Sequence, residues 1–184
     1  TVVKPYEVFT VGGVKIAFVG VTTPETFTKS TPAYFQDENG NYIYDISSTN
    51  LYADVQAAVN DAKGEADYVI AVGHLGVDPD SAPYRSTDVI ANVTGLDAWI
   101  DGHSHTSVPM EEVKDKAGKT VVLTQTGSYF ATIGEMTIAD GKITTTLRTD
   151  YKENDATVKA QQDAWMEEVK GLLGTPIAET DIEF

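Results

Sequence analysis

Cysteine is absent from this chain of 184 residues, which removes disulfides, thiolate-bound zinc and a cysteine nucleophile together. Any metal must then be held by nitrogen and oxygen. Positive charge is also scarce: 13 Lys and Arg stand against 28 Asp and Glu, a formal charge of −15. Such a balance disfavours nucleic-acid backbones and anionic membrane surfaces, so an anionic substrate needs local help, most directly from metal ions. No run approaches the ~18 apolar residues of a membrane span, and no basic segment followed by an apolar stretch opens the chain. The chain begins abruptly in strand-like sequence, which leads us to expect a further part upstream of Thr1.

What is present fits one compact unit with a sizeable core. Tyr6 to Val11 and Val14 to Val21, joined by Gly12-Gly13, predict a hairpin rich in β-branched and aromatic residues. The long excursion from Thr22 to Thr49 reads as a loop that lines a site or packs on the surface. Within it, Asp37-Glu38-Asn39-Gly40-Asn41 lacks the glycine position and closing glutamate of a calcium loop, so an Asn-Gly turn is the better reading. Leu51, Val55, Ala58, Val59 and Ala62 follow helical spacing, with Ser48, Thr49 or Asn50 as cap and Gly64 beyond the end. Asp67 to Val72 then reads as a buried strand, giving a β-α-β pattern and hence a parallel pair, with His74 two residues past the strand.

A loop over 77–85, a short helix over 86–93 and a strand over 96–100 lead to His103 and His105. Antiparallel strands are expected over 120–126, 131–138 and 142–149, and a final helix over 156–173 stops at Gly174-Thr175-Pro176. The fold class is α/β (α+β).

The three histidines of the chain fall in two motifs, Ala-Val-Gly-His74-Leu-Gly and Asp-Gly-His103-Ser-His105. A lone His74 reads equally well as an ordinary loop histidine. Two motifs at the carboxyl ends of successive strands are where an open α/β sheet gathers its ligands, so the three can meet in space. Gly73, Gly76 and Gly102 allow tight turns and close backbone approach. His103 and His105 are two apart, which in extended backbone sends their rings to different faces, toward two metals, or toward one if the turn bends sharply. Asp101, Asp97 and Asp78 are the nearest carboxylates in sequence to accept the other ring proton.

Four segments carry a resemblance: Lys15 to Thr26 (KIAFVGVTTPET), Ala66 to Gly76 (ADYVIAVGHLG), Gly95 to Thr106 (GLDAWIDGHSHT) and Leu123 to Gly127 (LTQTG). In order and spacing they resemble the 5'-nucleotidase and UDP-sugar hydrolase branch of the calcineurin-like metallophosphoesterases. The resemblance implies a β-sandwich flanked by helices and a centre of two divalent metal ions (zinc, manganese or similar) that hydrolyses phosphate esters or pyrophosphates. It implies that His74 and His103 bind one ion and His105 the other, with a nucleotide or sugar nucleotide as substrate.

The family's upstream Asp-x-His, Gly-Asp and Asn-His-Glu or Asn-His-Asp motifs do not occur in this sequence. Residues 1–173 then read as the second half of the catalytic domain, and 174–184 as a linker toward a C-terminal substrate-binding domain. The missing N-terminal half becomes an expected partner, self-association through exposed edges an expected consequence, and the chain alone is expected to be inactive. Two alternatives stay open: a mononuclear zinc hydrolase using all three histidines, and a catalytically silent binding module. The resemblance and the lack of cysteine suggest a bacterial extracellular or cell-wall setting.

Other motifs carry less. Arg85 and Arg148, the two arginines, read as solvated surface rather than phosphate ligands. Tyr34, Phe35, Tyr42 and Tyr44 read as packing for the long loop. Asn92-Val93-Thr94 matches a glycosylation acceptor that matters only in a eukaryotic secretory setting.

Overall fold

The structure is a computed structural model that describes residues 3–46 and 49–174. Its chain divides into two compact units, Thr1–Thr149 and Asp150–Phe184. The proposed cap Ser48 and linker residues 175–184 lie outside the described residues.

The first unit is built on a six-stranded sheet. Its strands are β1 (Tyr6–Val11), β2 (Val14–Thr22), β3 (Tyr68–His74), β4 (Ala98–Asp101), β5 (Ser107–Lys114) and β6 (Thr120–Thr126). They lie in the order β1-β2-β3-β4-β6-β5. The four central strands run parallel, with Thr22 beside His74 and Asp101 beside Gln125, while β1 and β5 are antiparallel edges. The expected β1–β2 hairpin is present, turned at Gly12 and Gly13 with φ of 58° and 86°, a conformation that suits glycine.

Two expectations need correction. Local pattern gives no element over 107–114, yet the segment forms β5, whose Pro109 and adjacent Glu111 and Glu112 hide the strand pattern; the edge position and a bulge between Val108 and Glu111 accommodate them. The strand β6, expected among antiparallel partners, pairs parallel with β4 as well as antiparallel with β5. The pairing of distant strands is a tertiary choice that local pattern does not carry.

Helix α1 (Thr26–Lys29) is one turn; α2 (Leu51–Lys63) and α3 (Ser86–Asn92) are the crossover helices. Leu51, Val55, Val59 and Ala62 of α2 and Val89 and Ile90 of α3 are buried with Ala17, Val19, Val69, Ala71, Trp99 and Leu123 of the sheet. Asn50 stands at the N-cap of α2, where its side chain does not bond the first-turn N–H groups, and Gly64 follows the end. The opposite face of the sheet, through Ile70, Ala98 and Val122, packs against a two-stranded ribbon, β7 (Ile133–Ala139) and β8 (Lys142–Arg148). Beyond the ribbon that face stays open around Val14, Ile16 and Phe18, and Phe9 and Val11 are more than half exposed.

The second unit contains α4 (Ala156–Leu173), with the bounds the sequence predicts. Asp155 caps it, accepting from the N–H groups of Thr157 and Val158. Among the described residues, no helix is long and apolar enough to cross a membrane.

Candidate metal centre

The carboxyl ends of β2, β3, β4 and β6 share one edge of the sheet, so the segments that follow them converge there. His74 ends β3 and is not two residues past it, because the β2 ladder continues to the Thr22–His74 pair. His103 and His105 follow β4 by two and four residues, both with left-handed backbone, φ 83° and 55°. Non-glycine residues tolerate that region only at a cost, and two of them in one turn mark a conformation held by its surroundings.

Several contacts hold it. The buried Gln125 amide oxygen accepts from the Ser104 hydroxyl at 3.2 Å and the Thr106 N–H at 3.0 Å, pinning both sides of His105 to β6. Ser104 Oγ in turn accepts from the Val77 N–H. Asp101 Oδ1 accepts from the N–H groups of Leu75 and Gly76, so the loop after β3 and the turn after β4 are stitched together. A Cβ on Gly76, whose φ is 77°, would lie 2.9 Å from Ser104 Cβ; one on Gly102 would lie 3.1 Å from His74 Nδ1. These glycines therefore let the two loops touch, and Gly73 serves differently, leaving room for the Trp99 indole.

The result brings two rings together. His74 Nε2 and His103 Nδ1 are 3.2 Å apart, with ring centroids separated by 4.9 Å. His105 is exposed in the same turn and lies on Tyr129, centroid to centroid 6.4 Å. Among the described residues no three His, Asp or Glu side chains are gathered closely enough to hold one ion.

The carboxylates named from sequence are not the ring partners. Asp97 accepts from the Val69 N–H and from Lys119, and Asp78 from the Asp80 N–H, while Asp101 serves the two backbone groups above. The partner of His103 is Glu25, whose Oε2 lies 3.2 Å from Nε2. Sequence distance hid it, since 78 residues separate the pair; its signals were a place three residues past a parallel strand and inside the Lys15–Thr26 segment that carries the resemblance. Gln125 was missed for the same reason.

Electrostatics disfavour a charged ring at His74. Partial desolvation lowers the pKa of His74, the rings of His103 and His105 lower it further, and Asp101 pulls the other way, so the neutral imidazole prevails. Burial alone would raise the Glu25 carboxyl. Lys29, with Nζ at 2.7 Å, and the neighbouring Ser81 hydroxyl hold it below the ordinary range, although Ser81 Oγ makes no hydrogen bond of full geometry.

The remaining candidates are surface features. Arg85 forms a two-pronged pair with Asp88, and Arg148 reaches Glu135. Phe35 and Tyr42 pack edge to face with Phe27, and Tyr44 with Phe35, within the long loop, whereas Tyr34, expected among them, is 81% exposed because the turn carrying it faces solvent; the Asn-Gly turn is closed by Gly40 N–H onto the Asp37 carbonyl.

Comparison with known proteins adds the following. The model of a family described as bacterial capsule synthesis protein PGA_cap matches residues 3–127. The trifunctional nucleotide phosphoesterase YfkN of Bacillus subtilis is 25% identical over 190 aligned residues, covering 98% of this chain and 12% of its own length. Among solved structures, the sulfate thiohydrolase SoxB of Thermus thermophilus is 19% identical with a TM-score of 0.68, covering 95% of this chain and 30% of that one. The NAD nucleotidase NadN of Haemophilus influenzae is 20% identical with a TM-score of 0.56, covering 78% of this chain and 29% of that one. The two structural likenesses show a shared fold. This chain thus spans about an eighth of its curated relative, 12%, and under a third of the two solved proteins.

Proposed function

This chain belongs to the bacterial capsule synthesis protein (PGA_cap) family, and from that premise we propose that it is a 5'-nucleotidase-like metallophosphoesterase, forming part of a two-metal phosphoesterase that acts on nucleoside 5'-monophosphates or UDP-sugars, a reading supported by its similarity to a nucleotide phosphoesterase. The observation that carries the reading is the approach of His74 Nε2 to His103 Nδ1, 3.2 Å apart at the carboxyl edge of the parallel strands. Two imidazole nitrogens facing each other, on a ring whose protonation is disfavoured, are suited to share one cation. His105, in the same turn but directed to Tyr129, serves the second ion. When bound, such ions neutralise phosphate charge and lower the pKa of a water molecule. That charge is what a chain of net −15 needs before it can take an anionic substrate.

The work of this chain's own residues is positional. Gln125, Ser104 and Asp101 hold the histidine turn rigid, and Glu25 holds the far nitrogen of His103. Three histidines do not complete two coordination shells, so the remaining ligands come from another part of the full-length protein. The open apolar face beside β1 and β2 is a surface for that part to cover, and left bare it favours self-association.

The test is phosphate release from AMP and UDP-glucose by the metal-loaded full-length protein. We expect His74→Ala, His103→Ala and His105→Ala each to lower kcat/KM by more than the 10–100-fold typical of losing an outer-shell partner. Activity undiminished in these variants would overturn the reading. Residues 1–184 alone are expected to release no phosphate, and turnover by them would refute the need for further ligands.

A further inference from the structure

Glu25 lies outside both histidine motifs, yet its side chain is 13% exposed and packed against the ring they place in the site. We infer that Glu25 is a positioning residue that fixes which nitrogen of His103 carries hydrogen and so presents the other as a bare lone pair to a divalent cation. The inference rests on the metal-site reading above.

Donors and acceptors around the His103 ring determine its tautomer. An ionised carboxylate can only accept a hydrogen bond, so the 3.2 Å contact from Glu25 Oε2 requires hydrogen on His103 Nε2. A neutral imidazole carries one such hydrogen, leaving Nδ1 without one. That nitrogen is the one facing His74 Nε2 at 3.2 Å. In the opposite tautomer Nε2 would set a lone pair against a carboxylate, a repulsive contact, whereas the His74 contact accommodates hydrogen on either of its two nitrogens, so Glu25 decides. Glu25 stands on the Nε2 side of the ring, away from the nitrogen that meets His74, so it acts through His103 rather than beside it.

The carboxylate is itself held at both ends. Lys29 grips Oε1 at 2.7 Å while Oε2 serves His103. Upstream, the buried Thr23 accepts the Glu25 N–H on its hydroxyl at 3.1 Å and the Thr26 hydroxyl on its carbonyl at 2.7 Å, so the turn after β2 is set before the side chain extends. A line of contacts thus runs from β2 through Glu25 to a histidine 78 residues away. Carboxylate partners of ligating histidines raise ligand basicity and orient the ring, and losing one weakens metal affinity by about 10–100-fold.

The test uses full-length protein labelled with 15N-histidine and stripped of metal. The His103 ring should show hydrogen on Nε2 and a bare Nδ1. Zinc affinity, read by competition with a chromophoric chelator, should fall about 10–100-fold in Glu25→Ala, and less in Glu25→Gln, which keeps an acceptor oxygen. The Glu25→Ala ring should populate both tautomers. Hydrogen on His103 Nδ1 in the wild type would overturn the inference, as would wild-type zinc affinity in Glu25→Ala. Should Glu25→Ala not fold, the wild-type tautomer decides alone. A wild-type protein that binds no zinc would overturn the metal-site reading itself, whereas normal zinc binding indifferent to Glu25 would overturn only this role.

Discussion

Replacing Gly73 by alanine tests how His74 is placed. The added Cβ would lie 2.6 Å from Cζ2 and Nε1 of Trp99 and 2.7 Å from Cε2, about 1 Å inside the 3.5–4.0 Å of favourable contact. Trp99 is fully buried and cannot swing into solvent, and Gly73 is tied on its other side to Val21 in the β2–β3 ladder. Either the indole leaves its rotamer or the strand end shifts. Forced overpacking of this kind costs about 1–3 kcal/mol, and for a unit of this size each kcal/mol moves the midpoint by about 2–4 °C. Thermal and urea unfolding of Gly73→Ala in the full-length protein should therefore show a loss of several degrees. The decisive comparison is a double-mutant cycle with Trp99→Phe, which trims the atoms that the new methyl meets. Trp99→Phe alone should destabilise by opening space, and Gly73→Ala should cost less in that background, with a coupling of about 0.5–3 kcal/mol. Equal costs in both backgrounds, or a Gly73→Ala protein as stable as wild type, would refute the close-packing argument. Because His74 is the next residue, zinc affinity should weaken in Gly73→Ala and recover in the double variant.

Asp101→Ala would leave the buried N–H groups of Leu75 and Gly76 without their acceptor, a loss of about 1–3 kcal/mol by thermal unfolding; Asp101→Asn, which keeps an oxygen, should lose less. Gln125→Leu removes the acceptor shared by Ser104 and Thr106, so we expect zinc affinity to fall about 10–100-fold with the far-ultraviolet spectrum unchanged. Asp88 is held below the ordinary carboxylate range by its hydrogen bonds with Arg85, burial opposing. A depressed pKa contributes stability that is complete above the unfolded value, near 3.9, and is lost as pH falls through the lower folded value. Asp88→Asn should cost about 1 kcal/mol at neutral pH and flatten that acid limb; an acid limb identical to wild type would count against the pair.

Local pattern carried much of the fold. The β1–β2 hairpin, α2 and α4 were legible because each combines a regular apolar or helical period with a punctuating residue: Gly12-Gly13, Gly64 and Gly174. The strand β5 was not, since Pro109 and paired glutamates break its alternation. The extension of β3 to His74 was missed because Gly73 reads as a turn residue, while its real task is to leave space for an indole 26 positions away. That the segments carrying the three histidines end at one edge of the sheet was legible from their places after successive strands. Which of the histidines meet was not, because the left-handed backbone at His103 and His105 overrides the alternation expected of an extended segment.

By itself, then, the sequence determined that any metal bound here would have only nitrogen and oxygen side-chain ligands, that the histidines stand at or just after strand ends, and that the chain is α/β, since these depend on residue type and short-range period. Only the tertiary structure decided that His74 faces His103, that Glu25 and not a nearby aspartate holds the second ring nitrogen, and that Gln125 anchors the turn. Those contacts join segments 19 to 78 residues apart, and the register of parallel strands that aligns them is set by the packed sheet as a whole.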